Sequence, residues 1–577
     1  MHLRSQTDGG GRLRILRSAS FVLLLVCAST LTPIFQGNSE YIQKLFRPAN
    51  DRLGAAALDT GSLTAVINGV QPASGSTLGN TRLIISGSNF SDGTTVRFGS
   101  ITVTDVEILS SDLLSVKTPP GTGIVDVTVS NPSTPPAATL PGAFTYRVLT
   151  PVTVTPNTLR IPFAIDDLFF RSNLGLNNPN PVAATVRILA VDNNGLLLNQ
   201  QSGVTIAANG YIQKNNVLWE LEGASVTTGR EASLVLESDQ PIQAFVSSID
   251  NKSGDPSILE GIRQGGTRLI LQSSANTPTF RSNLVVMNLS GTPAQVTIAA
   301  LSDTTGQRVG TPLENLSLAG NGFLAYDNIL AALGIANGFG PIEIRSTNGA
   351  QLAAVSRVSG LSTNTSGFFT AQSADSGSQS EIIPFAIDTD AFRTNLGLNN
   401  FGNGPASVSV TLIGASGAPI AATSAPIQVL PLGLVQINNV IRFLLTGESQ
   451  SPVTGQQGYL KITSNQPLKA FATQIANTTN DPSIEISLNS GGSNLLLKSS
   501  ANLNFRSTLA IVNPNNAATP VTITAREGGP AGNGAAKGTR ISTFLPTDSS
   551  LLRTSSVISQ LQAVLARLRF APPTARR

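Results

Sequence analysis

Apolar and polar residues alternate along most of the chain, and one alternating stretch occurs four times, at residues 170–178, 280–288, 392–400 and 505–513. Each copy begins Phe-Arg and closes on Asn. In the first, Phe170, Leu174 and Leu176 share one parity while Arg171, Asn173 and Asn177 share the other. A period of two predicts a strand with one buried face. The second and fourth copies are apolar on both parities near their ends (Val285, Met287; Ala510, Val512), which predicts strands covered on both faces. Turn formers follow every copy, among them Pro179, Asn180, Gly291, Gly402 and Pro514. The arginines, Arg171, Arg281, Arg393 and Arg506, recur at intervals of about 110 residues, the length of one β-sandwich domain.

The repeats fall into two kinds. The first and third open with Ile-Pro-Phe-Ala-Ile-Asp at 161–166 and 383–388, and the second and fourth with Ser-Ser-Ala-Asn at 273–276 and 499–502. An AB pair was therefore duplicated. Within the first repeat, alternating or apolar runs at 184–190, 210–213, 233–237 and 241–249 follow the arginine strand, with a helical turn at 215–221. About six strands per repeat, joined by hairpin-length connections, imply an antiparallel sandwich. The fold class expected is all-β: tandem immunoglobulin-like antiparallel sandwiches in a multi-domain rod. The expected divisions are a signal peptide at 1–29, a leader at 30–62, an immunoglobulin-like domain at 63–147 and a Thr/Pro linker at 148–160. Repeats follow at 161–266, 267–380 and 381–492, with an incomplete one at 493–577. The last keeps the early strands of its kind, but the two closing strands of the third repeat have no counterpart in it; residues 557–568 are apolar and helix-compatible.

Residues 63–147 carry an ordered set of short motifs: Val70-Gln-Pro72, Gly75, Gly79-Asn-Thr81, Leu83-Ile-Ile-Ser-Gly-Ser-Asn-Phe90, Val96-Arg-Phe-Gly99, Thr118-Pro-Pro-Gly121, Val125-Asp-Val-Thr-Val-Ser-Asn-Pro132 and Leu140-Pro-Gly-Ala-Phe-Thr-Tyr146. The set resembles the IPT/TIG domain. The resemblance implies an immunoglobulin-like fold, a role in protein contacts or domain spacing, and no catalytic residues. The four repeats are similar to those of large secreted bacterial proteins.

Composition narrows the function. Charged residues are 12% and aromatics 5%, while Gly and Pro number 53 and 34, which suits many short strands and turns. The net charge of +4 is spread without a basic block outside the two ends, so nucleic acid is not an expected partner. Arg12, Arg14 and Arg17 precede the apolar run Phe21-Val-Leu-Leu-Leu-Val-Cys27 and small residues Ala28 and Ser29, the order of a secretory signal. The run is too short to span a bilayer. The single Cys and single His both lie in this region, so a cleaved chain would carry no disulfide, no thiol or zinc chemistry and no His-based triad.

Three candidate chemistries remain. The repeated arginines could bind anions, but one residue recurring in every unit reads better as a strut between loop and sheet. The acidic pairs Asp166/Asp167 and Asp388/Asp390 suggest glycosidase carboxylates, yet they occur twice and read better as turn caps. The loops Asp250-Asn-Lys-Ser-Gly-Asp255-Pro and Asn477-Thr-Thr-Asn-Asp481-Pro offer several oxygen donors, so Asp250, Asp255 and Asp481 are candidate calcium ligands, with a plain Asx turn the competing reading. Trp219 reads as a packing residue. No other cofactor and no catalytic residue is expected. The favoured function is a secreted or cell-surface, non-catalytic structural or adhesive protein with a protein or extracellular-polymer partner. The alternative is an accessory or carbohydrate-binding chain for polysaccharide breakdown. Export predicts cleavage near residues 28–30; an intact mass that retains residues 1–27 on the native protein would contradict it.

Overall fold

The computed structural model describes residues 64–132, 136–155, 158–224, 227–363, 365–492, 508–515, 517–527, 534–544 and 549–553. The expected signal, the leader at 30–62, the helix-compatible tail at 557–568 and Arg506 lie outside them. The described residues belong to one compact unit, Ser62–Arg577. It is all-β. Helices are short, such as Val217–Glu222 and Val440–Thr446, and none described is long and apolar enough to cross a membrane.

The first domain is a two-sheet sandwich. One sheet orders Val66–Gln71, Arg82–Ser88, Leu113–Lys117 and Val106–Ser110; the other orders Ser74–Ser76, Ala138–Arg147, Gly123–Ser130, Thr95–Phe98 and Ile101–Val103. Leu83, Ile85, Val96, Phe98, Leu114, Val127, Val129 and Phe144 fill the space between.

The first repeat is also two sheets. Its hairpin sheet orders Leu159–Asp166, Arg230–Ser238, Ala184–Val191 and Leu197–Ile206. Its arginine sheet orders Tyr211–Lys214, Phe170–Asn177, Gln243–Asp250 and Pro256–Glu260. That is two strands more than the pattern predicted. Both are edge strands: Leu197–Ile206 is exposed or half-exposed along most of its length, and Pro256–Glu260 alternates in burial but buries Ser257 and exposes Ile258, so neither shows the apolar alternation that marks a strand in the sequence. The second repeat has the same plan. Its hairpin layer is Arg308–Leu318, Ala294–Leu301, Gly338–Ser346 and Arg268–Asn276, and its arginine layer Phe323–Tyr326, Leu284–Asn288, Leu352–Gly360 and Ser366–Thr370; the short strand Phe280–Ser282, which carries Arg281, pairs with Arg268–Asn276 and Leu352–Gly360 and joins the two layers into one sheet. In the third, the two strands expected at 458–462 and 467–475 are one 20-residue strand, Gln457–Ala476, which serves both sheets. In the fourth, the described strands form two pairs, Thr508–Val512 with Ser549–Arg553 and Thr519–Arg526 with Ala536–Phe544.

Neighbouring repeats share cores. The Leu284–Asn288 strand is buried at every position. Leu284 and Val286 face the interior of their own repeat. Val285 and Met287 face the other way and join the core of the first repeat, with Phe323, Ala353, Val355 and Phe368 beside them. The double-sided apolar pattern of the second copy thus marks a sheet clamped between two layers, as expected. The same step recurs one repeat later, where Leu434 and Phe471 of the third repeat enter the core of the second, Phe471 meeting Phe369 edge to face at 5.0 Å. A sheet packed on both faces couples the stability of the two repeats it separates. Met287→Ala should therefore cost about 2–5 kcal/mol. Calorimetry should show the first and second repeats losing stability together in one transition; a lowered second-repeat transition beside an unshifted first-repeat one would contradict the shared core.

Candidate functional site

The repeated stretch is a set of internal ties. The hydroxyl after the arginine accepts from the opposite strand: Ile165 N donates to Ser172 Oγ (2.8 Å), Ala275 N to Ser282 Oγ (2.7 Å) and Ile387 N to Thr394 Oγ1 (2.9 Å). Asn173 and Asn395 accept from the backbone N–H of Asn216 and Asn439, left-handed residues that open the short helices. The closing Asn donates its amide to turn carbonyls: Asn178 to Val182 O, Asn288 to Thr292 O, Asn400 to Gly404 O and Asn513 to Ala517 O, all at 2.7–2.9 Å. Residues of this kind recur because each repeat has the same orphan backbone groups to satisfy.

The arginines serve the same end in the A-type repeats. Arg171 donates to Asn251 Oδ1 (2.7 Å), and Arg393 to Asn477 Oδ1 (2.8 Å) and Asn480 Oδ1 (3.0 Å). Asn251 and Asn477 in turn donate to the carbonyls of Asp167 and Thr389. The repeated arginine and the candidate calcium loop are thus one constellation. Arg281 differs because Leu361 stands where the Asn would be; it reaches Glu107 of the first domain at 3.8 Å, a half-exposed pair worth little.

Three of the four carboxylates in the acidic pairs are also committed, while Asp390 is exposed. Asp166 accepts from the N–H and hydroxyl of Thr228, and Asp388 from those of Thr454. Asp167 Oδ1 caps a turn through the N–H groups of Phe169 and Phe170. Asp388 also meets Arg442 at 2.9 Å; burial works against its charge, but Arg442 and Thr454 outweigh it and hold the carboxyl below its usual range. Arg442 occupies the helix position that Trp219 fills in the first repeat. Trp219 is only half-buried, and its helix buries Val217, Leu218 and Leu221 instead.

In the calcium candidates, Asp250 Oδ1 accepts from the N–H of Lys252 and Ser253, an Asx turn, and Asp255 Oδ2 accepts from Ser366 N of the next repeat at 3.0 Å. Burial pushes Asp481 up to about 6, with the charge of Asp255 adding to it, so the loops of the first and third repeats lie within electrostatic reach of each other. Among the described residues no group of three or more acidic, His or Cys side chains is placed to hold a metal ion.

A further concentration of charge lies where the first domain meets the first two repeats. Arg82 reaches Asp167 (3.5 Å) and Glu231 (3.4 Å) of the first repeat and Asp327 (3.5 Å) of the second. Arg230 pairs with Glu222 at 2.7 Å and also donates to Ser74. Lys117 donates to Ala325 O, and Asn193 and Asn194 donate to Asn80 O and Gly79 O. Arg82, Lys117, Asn193, Arg230 and Glu231 are among the residues that line a cavity of about 100 Å³. Burial pushes Glu231 up to about 7 against the pull of Arg82. Nearby, Arg357 is buried with its guanidinium 3.5 Å from the centre of the Phe170 ring, and burial brings it down to about 10. Nothing in the spacing of Arg82, Glu231, Asp327 or Arg357 marks them in the sequence, because their partners lie on other domains.

Arg82→Met would leave the largely buried carboxylates of Asp167 and Glu231, with the half-exposed Asp327 beside them, without the cation they share, at a cost of roughly 3–5 kcal/mol. The loss should be smaller at pH 5.5 than at pH 8. Glu231 has a raised folded-state pKa, so its proton binding favours the folded state as pH falls through about 7 towards the ordinary glutamate value. Thermal melts of both proteins at the two pH values check this; an equal loss at both would show that Glu231 does not respond.

Residues 65–146 match the family model described as the IPT/TIG domain. Over 102 residues the chain is 36% identical to transcription factor COE2 of Mus musculus and of Homo sapiens, covering 17% of this chain and 18% of either relative. Transcription factor COE4 of Homo sapiens is 36% identical over 93 residues, covering 16% of this chain and 15% of the relative. The chain thus spans less than a fifth of the length of these curated relatives. Among solved structures, SGBP-B from a complex xyloglucan utilization locus in Bacteroides uniformis matches at 12% identity over 74% of this chain and 98% of that one, with a TM-score of 0.13, too low to carry any argument. The matched segment holds the two-sheet sandwich that supplies Arg82 and Lys117 to the junction, and residues 65–146 of this chain are an IPT/TIG domain.

Proposed function

We propose that the chain is a secreted or cell-surface, non-catalytic structural or adhesive protein that acts by holding its loops in fixed positions for a protein or extracellular-polymer partner. The observation that carries this reading is how the candidate chemistry is engaged. Arg171, Arg393, Asp166, Asp167 and Asp388 each hold a loop, turn or helix of their own repeat. Catalytic carboxylates must be free to exchange protons with substrate, and a carboxylate saturated by backbone and hydroxyl donors is a poor base. The IPT/TIG domain adds support, since its sandwich is fastened to the repeats through Arg82, Lys117 and Ser74 and belongs to the same compact unit.

The test is binding of the purified full chain to a glycan array and to immobilised extracellular polymers and surface proteins. Retention by a surface protein or polymer with no defined oligosaccharide ligand is the expected result. Selective capture of one oligosaccharide would favour the polysaccharide-accessory reading, and turnover of any glycan would overturn the non-catalytic one.

A further inference from the structure

Each of two successive junctions uses one device. The turn of the hairpin sheet carries a glycine with positive φ, Gly195 (76°) in the first repeat and Gly306 (66°) in the second. It sits against a turn of the following repeat that contains a left-handed residue, Asn321 (φ 59°) and Leu432 (φ 60°) respectively. The fit is backbone to backbone: a Cβ on Gly195 would overlap Gly320 O, and one on Gly306 would overlap Pro431 O. A hydrogen bond closes each seat, Phe323 N to Asn193 O at 3.1 Å and Leu434 N to Asp303 O at 2.6 Å.

The fourth repeat carries the same glycine. Gly534, φ 70°, lies on the turn between Thr519–Arg526 and Ala536–Phe544. It is buried, and a Cβ on it would overlap Ala208 O and press on the backbone of Asn209. Ala208 and Asn209 (φ 53°) form the equivalent turn of the first repeat. The last hairpin therefore seats on the first repeat as the first seats on the second and the second on the third. We infer that the four repeats close head to tail into a ring, the fourth occupying the outer arginine-sheet face of the first, so that the rod expected from the repeat order is bent back on itself.

Two independent observations agree. The outer face of the first repeat matches the face of the third that is buried on the second. Phe245 lies over Gly175 as Phe471 lies over Gly397, and Ile258 corresponds to Ile484, which packs on Gly367. Such a face calls for a covering layer. Second, the first and third repeats both reach one edge strand of the second, Ser366–Thr370. Ser257 of the first bonds Ser366, Ile484 of the third touches Gly367, and Asp255 and Asp481 sense each other's charge. In a straight stack the thickness of the middle sandwich, two sheets about 10 Å apart, would separate them. Closure brings them together.

Two measurements on the full chain test the ring. In a Cys27→Ser background, Ala208→Cys with Ala535→Cys should oxidise to a monomer whose mobility without reductant is altered. In the chain with no substitution, a lysine cross-linker applied to an equal mixture of isotopically light and heavy protein should join Lys214 to Lys537 within single copies. An intrachain link in either experiment supports closure, even if the double-cysteine variant fails to fold. Mixed-isotope links alone would show that a second copy fills the seat and would overturn the ring, as would the absence of both links.

Discussion

The structure depends on burial of β-sheets from both sides. A chain with few aromatics and no described disulfide must find its stability in aliphatic area, and a sandwich with one core buries only one face of each sheet. Here the arginine sheet of the second repeat buries both. Val286 serves one core while Val285 and Met287 serve the next. A methylene lost at such a position is felt in two layers, because close-packed interiors transmit the strain. Interdomain surfaces in chains of tethered modules are usually small and polar; these are extensions of the cores themselves.

Such stacking exposes the backbone to a matching problem that the glycine turns and asparagines resolve. Two sheets approach closely only where no side chain intervenes, hence Gly195 and Gly306 against main-chain carbonyls. The hairpin and loop ends that result carry unpaired carbonyls, and Asn178, Asn288, Asn400 and Asn513 each give their amide to them. Charge is used sparingly in the same role. Lys469 with Glu381 and Arg82 with its three carboxylates sit where layers or domains meet. Buried pairs contribute little net stability, but breaking one is costly, so they penalise any other arrangement of the layers.

The candidate site was legible in kind and only partly in partner. Period and recurrence pointed to the arginine as a strut, and in the two A-type copies it bonds Asn251 and Asn477. Arg281 departs because a single loop position changed from Asn to Leu361, which removes the acceptor. The adjacent aspartates were readable as caps because capping is local chemistry, set within a few residues. The cluster around Arg82 was not readable, since Asp167, Glu231 and Asp327 lie 85, 149 and 245 residues away in the chain.

By itself the sequence determined the all-β class, the IPT/TIG segment, the four repeats and their AB alternation, and that the second copy of the arginine strand is covered on both faces; the fourth copy, for which the same was expected, is only half-buried over Leu509–Val512. The features it determined follow from short-range periodicity and from the turn preferences of Gly, Pro and Asn, which act over a few residues. Tertiary structure alone decided the edge strands Leu197–Ile206 and Pro256–Glu260, the fusion of two strands into Gln457–Ala476, the partners of Arg82 and Arg357, and the shared cores. Edge strands are held by one neighbour and need no alternation of their own. Interdomain partners are fixed by where whole layers come to rest, and that depends on the summed fit of many side chains rather than on any stretch of sequence.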